Sequence, residues 1–123
     1  MHAGENNPVI PEGKTVRDAL FVITAKGLGA TSVVTREGLL KGLITDGDIR
    51  RGFARGNDFL DQRVEAFMTR DPKTITADKL AAAALHRMET NQPSPITVLP
   101  VVDGAGRAVG MLHITDLLRR GMV

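Results

Sequence analysis

The sequence predicts a mixed α/β (α+β) fold built from two copies of one small unit. The first observation is that the pattern of residues 42–51 returns at residues 110–119, with the same spacing between its glycine and its aspartate. The second is that each copy joins an amphipathic helical stretch to a β-branched hairpin and then to another helical start. A constant offset with the same order of elements indicates a tandem repeat, which favours two similar units sharing one domain.

The first predicted helix begins after Thr15. Apolar residues at positions 16, 19, 20 and 23 form one stripe of a 3.6-residue period. Thr15 is a residue type that caps helix starts, and the glycines at 27 and 29 favour a helix end. The pattern therefore predicts an amphipathic helix that packs one face against a sheet.

A β-hairpin and a second helix are predicted to follow. Residues 30–35 are rich in β-branched side chains, residues 36–38 favour a turn, and residues 39–45 supply the returning strand. The next helix is expected to begin near Asp48 and to run toward Gly56, since glycine is typical of helix C-termini. One unit is thus helix, hairpin, helix.

The second copy repeats this order with one insertion. Residues 77–88 make the strongest helix by propensity, and the alanines at 81–84 favour a close packing interface. Three extra residues fall within residues 90–97, where Pro93 and Pro95 interrupt any helix. Residues 98–113 then supply the second hairpin.

Composition limits the function classes that this chain can serve. Its 123 residues suffice for one compact domain. Sixteen Lys and Arg against 14 Asp and Glu leave a net charge of only +2, and four Phe without Tyr or Trp offer little for base stacking, so nucleic acid is not an expected partner.

Localisation is predicted from what the sequence lacks. The chain contains no cysteine, which excludes disulfides and thiolate chemistry. No apolar run approaches the roughly 20 residues that span a bilayer, and residues 1–11 show no basic and apolar leader. We therefore expect a cytoplasmic protein with no membrane partner.

Polar residues recur where each hairpin passes into the next helix. Thr45 and Asp48 stand there in the first copy, and His113 and Asp116 in the second. Unpaired N–H groups and the helix dipole at such a turn suit a phosphate, and a carboxylate suits a ribose hydroxyl. The alternative is that these residues only cap their helices. His113 has three interpretations, which are a buried histidine bonded to a backbone carbonyl, a ligand contact, and a metal ligand.

The pattern Gly-x-apolar-Thr-x-x-Asp, preceded by a strand and its hairpin and present in tandem, resembles a pair of cystathionine β-synthase (CBS) domains, also called a Bateman module. The resemblance covers almost the whole chain and implies two βαββα units packed with pseudo-twofold symmetry around clefts for adenosine nucleotides. Residues 1–62 would form the first repeat and residues 63–123 the second.

A narrower resemblance lies in residues 27–31, 45–51 and 112–123, which look like the C-terminal CBS pair of bacterial D-arabinose-5-phosphate isomerases. In that family a sugar-isomerase (SIS) domain precedes the pair, and the enzyme serves the 3-deoxy-D-manno-octulosonate (Kdo) branch of lipopolysaccharide synthesis. The openings of the two repeats, at residues 1–4 and 68–72, fit a piece cut at a domain boundary. The SIS domain is then the expected partner.

Candidate ligand-binding residues combine these arguments. Paired arginines after each aspartate can grip phosphate or carboxylate, although a solvated helix face is their ordinary role. The CBS resemblance places the starts of both hairpins on opposite walls of the clefts, where simple sheet-edge polarity is the alternative. The predicted set is Ile10, Thr31, Ser32, Thr45, Asp48, Arg50, Arg51, Lys73, Thr74, Thr97, Leu99, Pro100, His113 and Asp116.

The function hypotheses follow from the resemblance. No catalytic constellation and no metal site is predicted for this chain, and no cofactor is required. The leading hypothesis is a regulatory module that senses CMP-Kdo, the end product of the pathway, as a feedback effector. The alternatives are an adenosine-nucleotide sensor responding to AMP or ATP, and a ligand-free scaffold that dimerises within a larger homo-oligomer.

Overall fold

The structure is a computed structural model that describes residues 2–76, 86–90 and 97–119. The strands are β1 (His2–Ala3), β2 (Val9–Pro11), β3 (Ala30–Val34), β4 (Leu40–Thr45), β5 (Thr69–Arg70), β6 (Ile75–Thr76), β7 (Val98–Val102) and β8 (Ala108–His113). The α-helices are α1 (Val16–Lys26), α2 (Asp46–Phe53) and α3 (Ile114–Arg119), with 3-10 turns at Gly4–Asn6, Asn57–Asp61 and Val64–Ala66.

Two four-stranded sheets carry the fold. The first sheet has the strand order β2-β3-β4-β5 and the second has the order β1-β8-β7-β6. Each repeat therefore contributes its opening strand to the sheet of the other repeat. β1 pairs with β8, and β5 pairs with β4, both antiparallel. The predicted mixed α/β fold of two similar units is confirmed, and this exchange of strands adds to it.

Helix α1 begins and ends where the sequence predicts. The Thr15 hydroxyl accepts a hydrogen bond from the Asp18 backbone N–H, and the Asp18 carboxylate accepts one from the Thr15 backbone N–H, which completes a capping box. Gly27 ends the helix in the left-handed conformation, with φ of 72°. Val16, Ala19 and Ile23 are buried, so the predicted stripe faces the sheet.

Helix α2 is shifted relative to the prediction at both ends. It starts at Asp46, two residues before Asp48, because Thr45 already caps it. It ends at Phe53 rather than near Gly56, since the chain must turn there to bring Phe59 into the core. Phe59 is only 2% exposed, and its ring packs edge-on against Phe53 at a centroid distance of 4.7 Å.

The second hairpin is confirmed, whereas much of the helix before it lies outside the described residues. β7 and β8 pair in the register Leu99↔Leu112, and residues 86–89 are helical. The rest of the predicted helix, its alanine run at 81–84 and the loop containing Pro93 and Pro95 fall in the parts of the chain that are not described.

Backbone hydrogen bonds at the two hairpin turns show the pseudo-twofold symmetry. The Leu40 N–H donates to the Gly106 carbonyl at 2.9 Å, and the Ala108 N–H donates to the Gly38 carbonyl at 3.0 Å. These two bonds exchange donor and acceptor between equivalent positions of the repeats. A small apolar cluster lies between the sheets and joins both units, and it consists of Ala30, Leu43, Val98 and Met111 with Leu28 beside it.

Candidate functional site

The first candidate site is the start of α2. The Thr45 hydroxyl accepts from the Asp48 backbone N–H at 3.2 Å, and Asp48 Oδ2 accepts from the Thr45 backbone N–H at 2.9 Å. The Asp46 N–H donates to the Gly29 carbonyl at 2.9 Å, which fixes the loop after α1 against this turn. The capping interpretation of Thr45 and Asp48 is thus confirmed, and capping leaves Asp48 Oδ1 for another partner.

Arg51 is that partner. Its Nη2 donates to Asp48 Oδ1 at 2.7 Å, one turn along the same helix. The arginine side chain is 73% exposed and the aspartate side chain 14% exposed, so an exposed cation covers a largely buried carboxylate. Arg50 points to solvent on the same turn, and the described part of the chain gives it no ion pair. The exposed Arg51 guanidinium regains contact with water when it leaves the carboxylate, so another donor can take its place at Asp48 Oδ1.

The second candidate site is the start of α3, where a histidine replaces the threonine. The Thr115 backbone N–H donates to His113 Nδ1 at 3.1 Å, and Asp116 Oδ2 accepts from the His113 backbone N–H at 2.9 Å. A backbone N–H is always a donor, so Nδ1 is the acceptor and the neutral ring carries its proton on Nε2. His113 therefore acts as a helix cap, a role outside its three sequence interpretations.

Asp116 Oδ1 binds a residue from the far end of the chain. His2 Nε2 lies 3.0 Å from it, with side-chain exposures of 32% and 15% for His2 and Asp116. Partial burial raises the pKa of Asp116, but the hydrogen bonds from the His113 backbone and from His2 outweigh it, so this pKa is held below its ordinary value. Asp116 is ionised at neutral pH. His2 is not among the predicted residues, since it has no histidine counterpart in the other repeat.

Five of the predicted residues lie inside the sheets or against the core. Thr31, Ser32 and Leu99 have no exposed surface, Pro100 is also fully buried, and Ile10 is 3% exposed. Thr31 donates to the Ser32 carbonyl at 3.2 Å, while Ser32 Oγ has no hydrogen-bond partner among the described residues. These five side chains are therefore buried and do not share an open surface with either helix cap.

Three predicted residues lie in the segments that lead into β6 and β7. Lys73 is exposed and Thr74 is half-buried, with its carbonyl accepting from Arg87. Thr97 is exposed, and its carbonyl accepts from the Ile114 N–H at 2.7 Å. This last bond matches the one between Gly29 and Asp46, so Thr97 lies beside the second cap.

A surface cavity of about 500 Å³ lies beside the N-terminal segment. Its walls are mostly apolar, and Asn7 is one of its few polar lining residues. Asn7 Nδ2 donates to the Ala108 carbonyl at 3.2 Å, which leaves Asn7 Oδ1 buried without a partner among the described residues. The lining residues are Gly4, Glu5, Asn7, Val9, Phe21, Val22, Ala25 and Lys26.

The described residues can be compared with the geometry of a metal site and with the length of a membrane-spanning helix. Within residues 2–76, 86–90 and 97–119, no three acidic, histidine or cysteine side chains converge as a metal site would require. The described helices include none with the length and apolar character to cross a membrane. What the two caps can do is accept hydroxyl hydrogen bonds at a carboxylate and present nearby cationic or imidazole groups.

The fold and the paired caps define a tandem CBS module. A family model for the CBS domain matches residues 4–55 and again residues 64–122, and the chain belongs to this family as a CBS pair. Over all 123 residues it is 44% identical to the arabinose 5-phosphate isomerase KdsD of Pseudomonas aeruginosa. It is 36% identical to the KdsD of Escherichia coli K12 over the same length. The resemblance to the CBS region of these isomerases is confirmed.

The chain is shorter than these relatives. It spans 37% of the Pseudomonas isomerase and 36% of the Escherichia one. Little more than a third of each enzyme therefore corresponds to this chain.

Solved CBS structures share the fold. The CBS domain pair of protein MJ0100, in complex with 5′-methylthioadenosine and S-adenosyl-L-methionine, superposes with a TM-score of 0.82 at 22% identity, covering 98% of this chain and 92% of that one. The CBS protein PAE2072 of Pyrobaculum aerophilum, complexed with AMP, gives 0.81 at 22% identity and covers 95% of this chain and 92% of its own. The TM-scores establish that the fold is shared, and at 22% identity the likeness shows the fold alone.

Proposed function

We propose that this chain is the regulatory CBS pair of an arabinose-5-phosphate isomerase and binds a nucleotide effector. The observation that carries the proposal is the match to KdsD isomerases along the whole chain. An SIS isomerase domain in the parent protein would be the partner whose activity the effector changes. We expect that parent to be a cytoplasmic enzyme whose CBS pairs dimerise within a larger homo-oligomer.

The geometry supports binding at the two helix starts. Each has a carboxylate with one oxygen held by a backbone N–H and the other bonded to a replaceable side chain, Arg51 at Asp48 and His2 at Asp116. A ribose or sugar hydroxyl can take the replaceable position, and the displaced Arg51 can then meet phosphate. The buried predicted residues, such as Thr31 and Ser32, would contact the ligand only if the sheets separate locally.

The effector that fits the parent pathway is CMP-Kdo. It carries hydroxyls for the aspartates, together with a phosphodiester and a carboxylate for Arg50 and Arg51. An adenosine nucleotide is the second candidate, favoured by the adenosine ligands of MJ0100 and PAE2072. Both ligands share the chemistry of a ribose joined to an anion.

Thermal unfolding of the chain with CMP-Kdo, CMP, AMP, ATP and S-adenosylmethionine tests the proposal. A ligand present at 100 times its dissociation constant adds about 2.7 kcal/mol, a shift on the order of 10 °C for a domain of this size. A shift selective for CMP-Kdo supports end-product sensing, and a shift selective for AMP or ATP supports the second candidate. Self-association without a shift for any ligand would replace both with the scaffold.

Retained affinity in the variant with Arg50→Ala and Arg51→Ala would refute the phosphate contacts. Lys41→Ala is the matched control, because Lys41 is paired with Glu12 at 2.6 Å and is far along β4 from the cap. It removes one surface cation without touching either helix start. Inhibition of the complete isomerase by the same ligand is the further requirement for regulation, since coupling needs two sites in one protein.

A further inference from the structure

Residues 2–8 form an N-terminal arm that connects the two sheets. At its start, β1 pairs with β8 in the second sheet, in the register Ala3↔Gly110. At its end, the Pro8 carbonyl accepts from the Ser32 N–H at 3.0 Å in the first sheet. Gly4, Glu5 and Asn7 of the arm also line the cavity described above. The position of the arm therefore depends on contacts at both sheets.

The arm is bonded to the second cap through one side chain. His2 Nε2 and Asp116 Oδ1 are 3.0 Å apart, and both side chains are partly buried. β1 has only two residues, so its backbone pairing alone gives weak attachment. The bond between His2 and Asp116 therefore adds to the attachment of the arm, together with the bond from Asn7 Nδ2 to the Ala108 carbonyl.

The first cap has no such connection. β5 meets β4 at Arg70↔Gly42, which is the equivalent of Ala3↔Gly110, and Thr69 stands where His2 stands in β1. Asp48 is bonded instead to Arg51 of its own helix. Within the described residues, only the second cap is tied to a strand distant in sequence.

We propose that His2 is a positioning residue that latches the N-terminal arm to Asp116, and that a ligand hydroxyl taking Asp116 Oδ1 releases the arm. The ligand step rests on the proposed function. It follows from competition for one oxygen, because the His113 backbone N–H keeps Asp116 Oδ2. The arm would also connect the proposed isomerase domain to the CBS pair. Release of the arm by the effector would therefore change how that domain is attached.

Hydrogen exchange without ligand tests the latch. His2→Ala should speed exchange of the arm amides about fivefold, a change that matches the loss of one hydrogen bond of average strength. His2→Gln keeps a side-chain donor and should restore most of the protection. Thr69→Ala, at the equivalent position of β5, is the control and should leave the arm unchanged. Equal exchange rates of the arm amides in His2→Ala and in the unsubstituted chain would overturn the latch.

Adding AMP and CMP-Kdo to the same variants tests the release. The ligand that binds should speed arm exchange in the unsubstituted chain. It should also bind His2→Ala about fivefold more tightly, because the His2 side chain no longer competes for Asp116 Oδ1. Arm protection that increases with bound ligand would overturn the release. If neither compound binds, the proposed function fails and the release fails with it, while the ligand-free comparison still decides the latch.

Discussion

The two helix starts solve the same capping problem with different side chains. Thr45 accepts from the N–H of the third helical residue, whereas His113 accepts from that of the second. Asp48 and Asp116 have identical roles, each accepting from the backbone N–H of the cap residue. The sequence predicted the capping alternative for the threonine and both aspartates from residue type alone. The ring nitrogen of His113 serves the same purpose only because β8 delivers it in the matching position.

Capping can be measured directly at these positions. Thr45→Ala should lower the free energy of unfolding by about 1 kcal/mol, since one helix N–H loses its acceptor. His113→Thr should change it by less than about 0.5 kcal/mol, because threonine restores the cap of the other repeat. Urea denaturation followed by circular dichroism measures both. A loss in His113→Thr as large as that in Thr45→Ala would show that the imidazole does more than cap.

Asp116 should make stability depend on acid. Its pKa is lowered in the folded chain, so its contribution is present above the ordinary aspartate pKa and is lost as the pH falls through the lower folded value. Asp116→Asn should therefore have a lower free energy of unfolding than the unsubstituted chain at pH 7. This difference in free energy should shrink near pH 3. Urea titrations at both pH values measure it. A difference that grew in acid would contradict the assigned direction.

At the scale of the elements, α2 uses two glycines in opposite ways. A Cβ added at Gly52 would lie 2.4 Å from Phe59 Cδ2, inside the van der Waals contact distance of a buried ring. A Cβ at Gly47 would meet the guanidinium of Arg51 at 3.2 Å, and that group is exposed and can move. Gly52 is thus required by close packing, whereas Gly47 is not.

Alanine substitution should separate these two glycines. Gly52→Ala should destabilise the chain by about 1 to 2 kcal/mol, because overpacking against Phe59 exceeds the gain in helix propensity. Gly47→Ala should stabilise it by about 0.5 kcal/mol through that same propensity. Thermal unfolding of the two variants compares them. Stabilisation by Gly52→Ala would mean that the Phe59 ring moves aside freely.

Local sequence predicted the elements whose signals are local. The α1 stripe, its Thr15 cap and both hairpins follow from periodicity, capping and β-branched composition. The boundaries of α2 could not be predicted in the same way, since they depend on where Phe59 docks. β1 and β5 have two residues each, too few for any periodic pattern to show.

At the scale of the whole molecule, exchanged strands make the two repeats interdependent. β1 comes from the first repeat but belongs to the second sheet, and β5 comes from the second repeat but belongs to the first sheet. After each of these strands the chain passes through a positive φ, 59° at Gly4 and 50° at Asp71. The two turns are equivalent, which extends the pseudo-twofold relation from the hairpins to the outer strands.

This exchange predicts the behaviour of an isolated repeat. Residues 1–62, the proposed first repeat, lack β5 and leave β1 without β8. We expect that piece to be unfolded, or to fold only by pairing with a second copy, because an edge and the apolar cluster between the sheets would be exposed. Circular dichroism and analytical ultracentrifugation measure this. A cooperatively folded monomer would show that each repeat is an independent domain.

By itself the sequence determined the duplication, the order of elements in each unit, the residues at both helix starts and the resemblance to CBS pairs. These depend on spacing and residue type over short stretches of chain. Tertiary structure alone decided which strands are exchanged, that Thr31 and Ser32 are buried, and that His2 meets Asp116 across 114 residues. Such contacts arise from how two units pack, and no local pattern encodes which side chains the packing brings together.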